Sequence, residues 1–129
     1  MHRREGFTLI ELLIVLVILG LLAAIATSFF WDAKDRAHVS AMQTDLRNLA
    51  AQQELYFPRS LSYAGVVADL TDYDASAGVT ITINFADASG WAAQAQHVSY
   101  TGHGCGLFVG DAPPADGAPA TEPGTVTCD

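Results

Sequence analysis

Few side chains in this chain could do chemistry, and their spacing decides what that chemistry would be. Ser99 and His97 lie two apart in a strand-like run, so they share a face. A nucleophile and a base also need an orienting acid and an oxyanion loop, and none is recognisable beside them. His97, His103 and Cys105 carry metal-ligating atoms, yet their spacing matches no strong ligand pattern. Asp69, Asp72 and Asp74 suggest calcium but lack the glycine and terminal glutamate of a helix–loop–helix site. The chain therefore reads as not an enzyme, with no catalytic residue, metal or cofactor assigned. Two features remain. Cys105 and Cys128 suggest one disulfide in an exported protein, and two free thiols in a cytosolic one. Glu11 stands near the start of a long apolar run. A carboxylate costs roughly 2.5–3.5 kcal/mol near the centre of a spanning helix, and less toward its end.

The element that positions Glu11 follows from composition. From Leu12 to Trp31 there are twenty consecutive uncharged residues. As a helix they cover roughly 30 Å, the thickness of a bilayer core. Arg3 and Arg4 precede the run, while Lys34 and Arg36 after it are offset by Asp32 and Asp35. That asymmetry favours a cytoplasmic N-terminus and an exported remainder. Three readings compete: a secretory signal peptide cut at Ala26, an uncleaved anchor, and a segment clipped before the apolar run and then kept. Glu11 separates them, because a subunit packed against copies of itself can recover its cost by pairing it with a positive group.

The stretch G-F-T-L-I-E-L-L-I-V at 6–15, with Gly20 and A-A-I-A at 23–26, resembles the type IV prepilin signature shared by pilins and the pseudopilins of type II secretion. The resemblance implies cleavage after Gly6 by a prepilin peptidase and N-methylation of the new terminus, Phe7. It implies that Glu11 supports subunit docking, pairing with the N-terminal amine of a neighbour's Phe7. It further implies a bridge between Cys105 and Cys128, since type IV pilins often staple their C-terminal region this way. One departure stands at Ser28, where many members of the family carry a proline.

Beyond Trp31 the pattern becomes amphipathic. Val39, Met42, Leu46, Leu49 and Tyr56 mark one helical face, which Gln53 interrupts and from which Asp45 falls away. The helix is expected to run from Phe7 to Phe57 and to stop before Pro58. Residues 58–78 read as an irregular connection. Val79–Ala86 is the clearest strand, Asp87–Gly90 a hairpin turn, and Trp91–Tyr100, Cys105–Val109 and Thr125–Cys128 three further strands. Residues 110–124, rich in proline and glycine, read as an extended surface loop. The fold class is α+β: a long N-terminal helix whose second half packs on an antiparallel sheet of about four strands.

The net charge is −8, and no Lys or Arg follows Arg59. Electrostatics disfavour a nucleic-acid-binding face there, so no nucleic acid is expected to be bound by the subunit alone. The organisation expected is a leader at 1–6, a membrane or filament-core helix at 7–31, and a periplasmic or extracellular globular domain at 32–129. The resemblance implies a pilus-like filament subunit for motility, adhesion or DNA uptake. Its partners would be identical or related subunits, the peptidase and an inner-membrane assembly platform. The subunit would wait in the inner membrane and end in an extracellular pilus or periplasmic pseudopilus. The alternatives are a type II secretion pseudopilin or minor pilin and, from another class, a secreted binding domain.

Overall fold

The computed structural model describes residues 6–129. Helix α1 runs Leu9–Ser60, and four strands follow: β1 Val79–Ala86, β2 Gly90–His97, β3 Tyr100–Gly110 and β4 Thr127–Cys128. The strands form one antiparallel sheet in the order β1-β2-β3-β4. The chain divides into two compact units, Met1–Lys34 and Asp35–Asp129.

In the second unit, alternation along the strands sorts side chains onto two faces. Trp91, Ala93 and Ala95 of β2 and Cys105 and Leu107 of β3 are buried against Met42, Leu46 and Leu49 of α1. Small alanines over the middle strand let the helix lie close, while Trp91 and Leu107 fill the volume at one end.

The stripe on α1 is wider than its apolar members. Asp45 and Gln53 are buried on the same face as Met42, Leu46 and Leu49. Gln53 does not interrupt the seam, and Asp45 does not leave it. Both satisfy backbone that the connection from helix to sheet would otherwise bury unpaired. The Gln53 amide donates to the Ala64 carbonyl at 2.9 Å and accepts the Ala64 N–H at 2.8 Å. Asp45 accepts the Ser76 N–H and hydroxyl, each at 2.9 Å, and its carbonyl accepts the Tyr73 hydroxyl at 3.0 Å. Burial first, then the negative charges of Asp45 and Asp74, push the Tyr73 phenol up from its ordinary range. The connection is thus tied down at both ends by polar side chains inside the core.

The helix also passes Pro58 rather than stopping before it. Pro58 lies in the last turn, so only a few residues must follow it. Leu61 then adopts φ 56° and donates its N–H to the Phe57 carbonyl at 2.7 Å. This is a left-handed C-terminal cap, made by a leucine where glycine is usual.

The strand boundaries shift from the sequence reading as well. β2 ends at His97, and β3 begins already at Tyr100 because residues 101–103 form an irregularity between the Gln96–Gly104 and His97–Tyr100 pairs. β4 is reduced to two residues. The largest correction concerns residues 110–124, expected as an extended surface loop, which pack on the sheet through Ala112, Gly117 and Ala120. Ala112 and Ala120 are buried with Ala92 and Phe108 on the sheet face opposite α1. Gly106 permits this contact, since a Cβ there would strike the carbonyl oxygens of Gly117 and Ala118. Asn84 and Gln94 donate to the Asp116 and Ala118 carbonyls, each at 2.8 Å. The second unit is therefore three layers: helix, sheet and a proline-rich cover.

The β1–β2 turn is organised by Asp87. One carboxylate oxygen accepts the Ser89 N–H at 2.6 Å, the Ser89 hydroxyl at 2.7 Å and the Gly90 N–H at 2.9 Å. The Ser89 hydroxyl above all, then its N–H, holds the Asp87 carboxyl below its usual range.

Two predictions follow from this packing. Gln53→Ala leaves the buried Ala64 N–H and C=O unpaired, and should lower the unfolding free energy of the chain in detergent by about 2–4 kcal/mol; a loss well under about 1 kcal/mol would show that the amide is not what secures this connection. A depressed carboxyl stabilises the fold above its unfolded pKa of about 4, and that contribution is lost as pH falls through the folded value. An NMR titration should place the Asp87 midpoint below 3.8 and show the 87–90 turn resonances moving with it.

Candidate assembly surface

In the first unit the residues that fold α1 leave its side chains outward. From Leu9 to Leu22 every large apolar side chain is about half exposed or more, as are Ile25, Phe29, Phe30 and Trp31. Among the described residues, α1 is the helix long and apolar enough to cross a membrane, and none of its apolar window is buried within the chain. The two hydroxyls of the run are turned inward: Thr27 donates to the Ala24 carbonyl at 3.0 Å and Ser28 to the Ile25 carbonyl at 2.9 Å. Hydroxyls bonded to their own helix can sit in apolar surroundings at little cost. The helix is unbroken at Gly20 and at Ser28. A Cβ at Gly20 would meet open space, so no contact among the described residues requires a glycine there.

Polar and aromatic groups gather where the run ends. Phe30 and Trp31 meet edge to face at 6.1 Å, and the Lys34 ammonium lies 5.4 Å from the Trp31 ring centre. Such a belt suits the boundary between apolar and aqueous surroundings.

At the other end stands Glu11. Its Oε2 accepts both the N–H and the hydroxyl of Thr8 at 2.9 Å, while the Glu11 N–H donates to the Thr8 hydroxyl at 3.3 Å. This is a capping box: the residue before the helix and the third residue within it satisfy each other's orphan donors. Sequence reasoning missed Thr8, although T-x-x-E ahead of an apolar run is its recognised signature. Glu11 consequently has a use inside its own chain, and its cost does not by itself demand a partner. Gly6 and Phe7 precede the helix, exposed. Arg3, Arg4 and the remainder of the expected leader lie outside the described residues.

Cys105 and Cys128 are joined as a disulfide between β3 and β4. Cys105 is therefore not a free ligand beside the histidines. The His97 Nδ1 accepts the Ser99 N–H at 3.0 Å and its ring stacks on His38, while His103 stacks on Tyr100. Among the described residues no three His, Cys, Asp or Glu side chains gather as a metal site.

Known proteins share the pattern of the N-terminus. Residues 1–27 match the family described as the prokaryotic N-terminal methylation motif. The type IV wide pilus major component of Thermus thermophilus is 34% identical over 100 residues, covering 75% of this chain and 76% of that protein. The chain belongs to the type IV pilin and pseudopilin family. Core protein G of the type II secretion system of Pseudomonas aeruginosa is 38% identical over 65 residues, 49% of this pilin-like chain and 46% of that protein. The type IV major pilin protein of Myxococcus xanthus is 42% identical over 62 residues, 48% of this chain and 28% of its own length. The chain thus spans less than half the length of these last two relatives. In this pilin-family domain the disulfide closes a segment with a sequence separation of 23 residues. Replacing both cysteines by serine should lower the unfolding free energy by about 3 kcal/mol, read from denaturant midpoints; an unchanged midpoint would mean that the cover and β4 hold without the bridge.

Proposed function

We propose that this chain is the structural subunit of a type IV pilus-like filament, assembled through its N-terminal helix. The observation that carries this reading is the apolar first half of α1, outward over its whole circumference and headed by a single carboxylate. A bare helix of this kind has two stable surroundings, lipid and the matching helices of other copies. Before assembly it anchors the subunit in the inner membrane with the globular unit outside. In the filament, neighbouring helices replace the lipid. Prepilin peptidase cuts after Gly6 and methylates Phe7, and an inner-membrane platform drives assembly. The role is structural rather than enzymatic, and no cofactor is needed for it.

Cleavage at this point makes the Phe7 amine the new terminus, one residue from the capping box. Glu11 then serves two purposes. It caps its own helix through Thr8, and its charge receives the amine of a neighbouring subunit. The two roles separate chemically, because glutamine can cap but cannot form an ion pair. Mass spectrometry should find a mature chain beginning with N-methylated Phe7; a chain beginning at Thr27 would instead identify a secreted domain released at Ala26. Glu11→Ala and Glu11→Gln should both be cleaved normally and both fail to form filaments by electron microscopy. Normal filaments from the Gln form would remove the charge from the docking role and leave capping alone.

The 38% identity to a type II secretion core protein keeps a second reading, that of a pseudopilin in a short periplasmic filament. Long surface filaments favour the pilus. Filaments seen only on overproduction, with loss of protein secretion on deletion, favour the pseudopilus.

A further inference from the structure

The sheet face opposite α1 is built as successive rungs across three strands. One rung is Phe85, Ala92 and Phe108, and it is covered by Ala112 and Ala120. The next is Thr82, Gln94 and Gly106. There the chain's own cover crosses the sheet: the Gln94 amide donates to the Ala118 carbonyl at 2.8 Å, and the missing Cβ of Gly106 makes room for the carbonyls of Gly117 and Ala118. The third rung repeats the same residue types in the same order: Thr80, Gln96 and Gly104. It lies two residues further along each strand, about 7 Å on. Among the described residues none lies over Thr80 and Gln96, which line an open groove. Thr80 and Gln96 are exposed, and neither side chain makes a hydrogen bond among the described residues. This rung floors a groove of about 630 Å³ that is flanked by Thr101, His103 and Asp129.

We infer that this groove binds an extended peptide segment of another protein, held by its backbone as the second rung holds residues 117–118. The Gln96 amide and the Thr80 hydroxyl can hold main-chain groups, whatever the source of the peptide; a Cβ at Gly104 would meet the Ala95 carbonyl of its own sheet, so Gly104 adds no gap of the kind Gly106 makes. Charge narrows the source. The Asp129 carboxylate borders the groove, accepting the Gly104 N–H at 2.7 Å with one oxygen. Residues 61–129 contain eight acidic residues and no Lys or Arg. The fitting ligand is therefore a cationic extended segment. Residues 61–129 of a second copy carry no Lys or Arg, and Lys34, Arg36, Arg47 and Arg59 lie within helix α1 rather than in an extended segment, so the partner proposed is a different protein.

The probe is the chain's own covering segment, residues 111–120 (DAPPADGAPA), as a synthetic peptide carrying Asp111→Lys and Asp116→Lys. Added to the full-length chain in detergent, it should bind saturably, shift the NMR amide signals of Thr80, Gln96 and Gly104, and weaken as salt is raised. Thr80→Ala and Gln96→Ala, both on exposed side chains, should each reduce affinity about fivefold, the worth of one neutral hydrogen bond. The unsubstituted acidic peptide should bind more weakly. Absence of saturable binding would overturn the proposal, as would equal affinity in both variants and the unaltered chain. So would a neutral oligosaccharide that moves the same three signals where the peptide does not, since that would make the groove a glycan site.

Discussion

Everything here depends on one helix serving two surroundings along a single backbone. The first part of α1 has no face, because among the described residues none of its apolar window is buried, and every direction must be apolar. The second part has one face, and the sheet covers it. An α-helix tolerates this division since its backbone bonds close within the segment and ask nothing of either environment. Only its ends and its few polar side chains must be accounted for. Thr8 and Glu11 account for the beginning, the inward-turned hydroxyls of Thr27 and Ser28 for the run, and the left-handed Leu61 for the end.

The globular unit obeys the same rule in a small space. A domain of this size cannot bury loose backbone, so each irregular segment is satisfied by a side chain fixed on a regular element. Gln53 and Asp45 serve the connection on the helix side of the sheet. Asn84 and Gln94 serve the proline-rich cover on the other. Helix and sheet each donate polar groups at their contact with a loop, and the loops become layers. The disulfide adds a covalent tie where β4 is too short to hold by pairing alone.

Legibility in the sequence tracked the range of the interaction concerned. The apolar run, the strand at Val79–Ala86, the turn after it and the α+β class all come from patterns within a few residues, and all were readable. The wrong readings concern contacts between distant positions. Gln53 looked like a break in a stripe because hydropathy ranks an amide as polar, wherever its partner lies; the partner is backbone eleven residues on. Residues 110–124 read as an extended surface loop because proline and glycine announce irregular backbone without saying what lies beneath it. Pro58 marks a stop by its local clash alone, whereas in the fold the last turn closes after it and Leu61 caps the helix. At the assembly surface the role of Thr8 is local: T-x-x-E ahead of an apolar run encodes the capping box within four residues.

By itself the sequence determined the length and polarity of the N-terminal segment, its single carboxylate, and the acidity of everything after Arg59, because these are properties of composition and order. The order of residues also carries the family signature at 6–26. Only the tertiary structure decided which polar side chains lie inside, how the proline-rich segment is used, and which of two rungs of the same residue types is covered and which is open. Those outcomes turn on where a chain crosses its own sheet. No local pattern encodes that crossing, because it is settled by the packing of Ala112, Gly117 and Ala120 against residues up to thirty positions away.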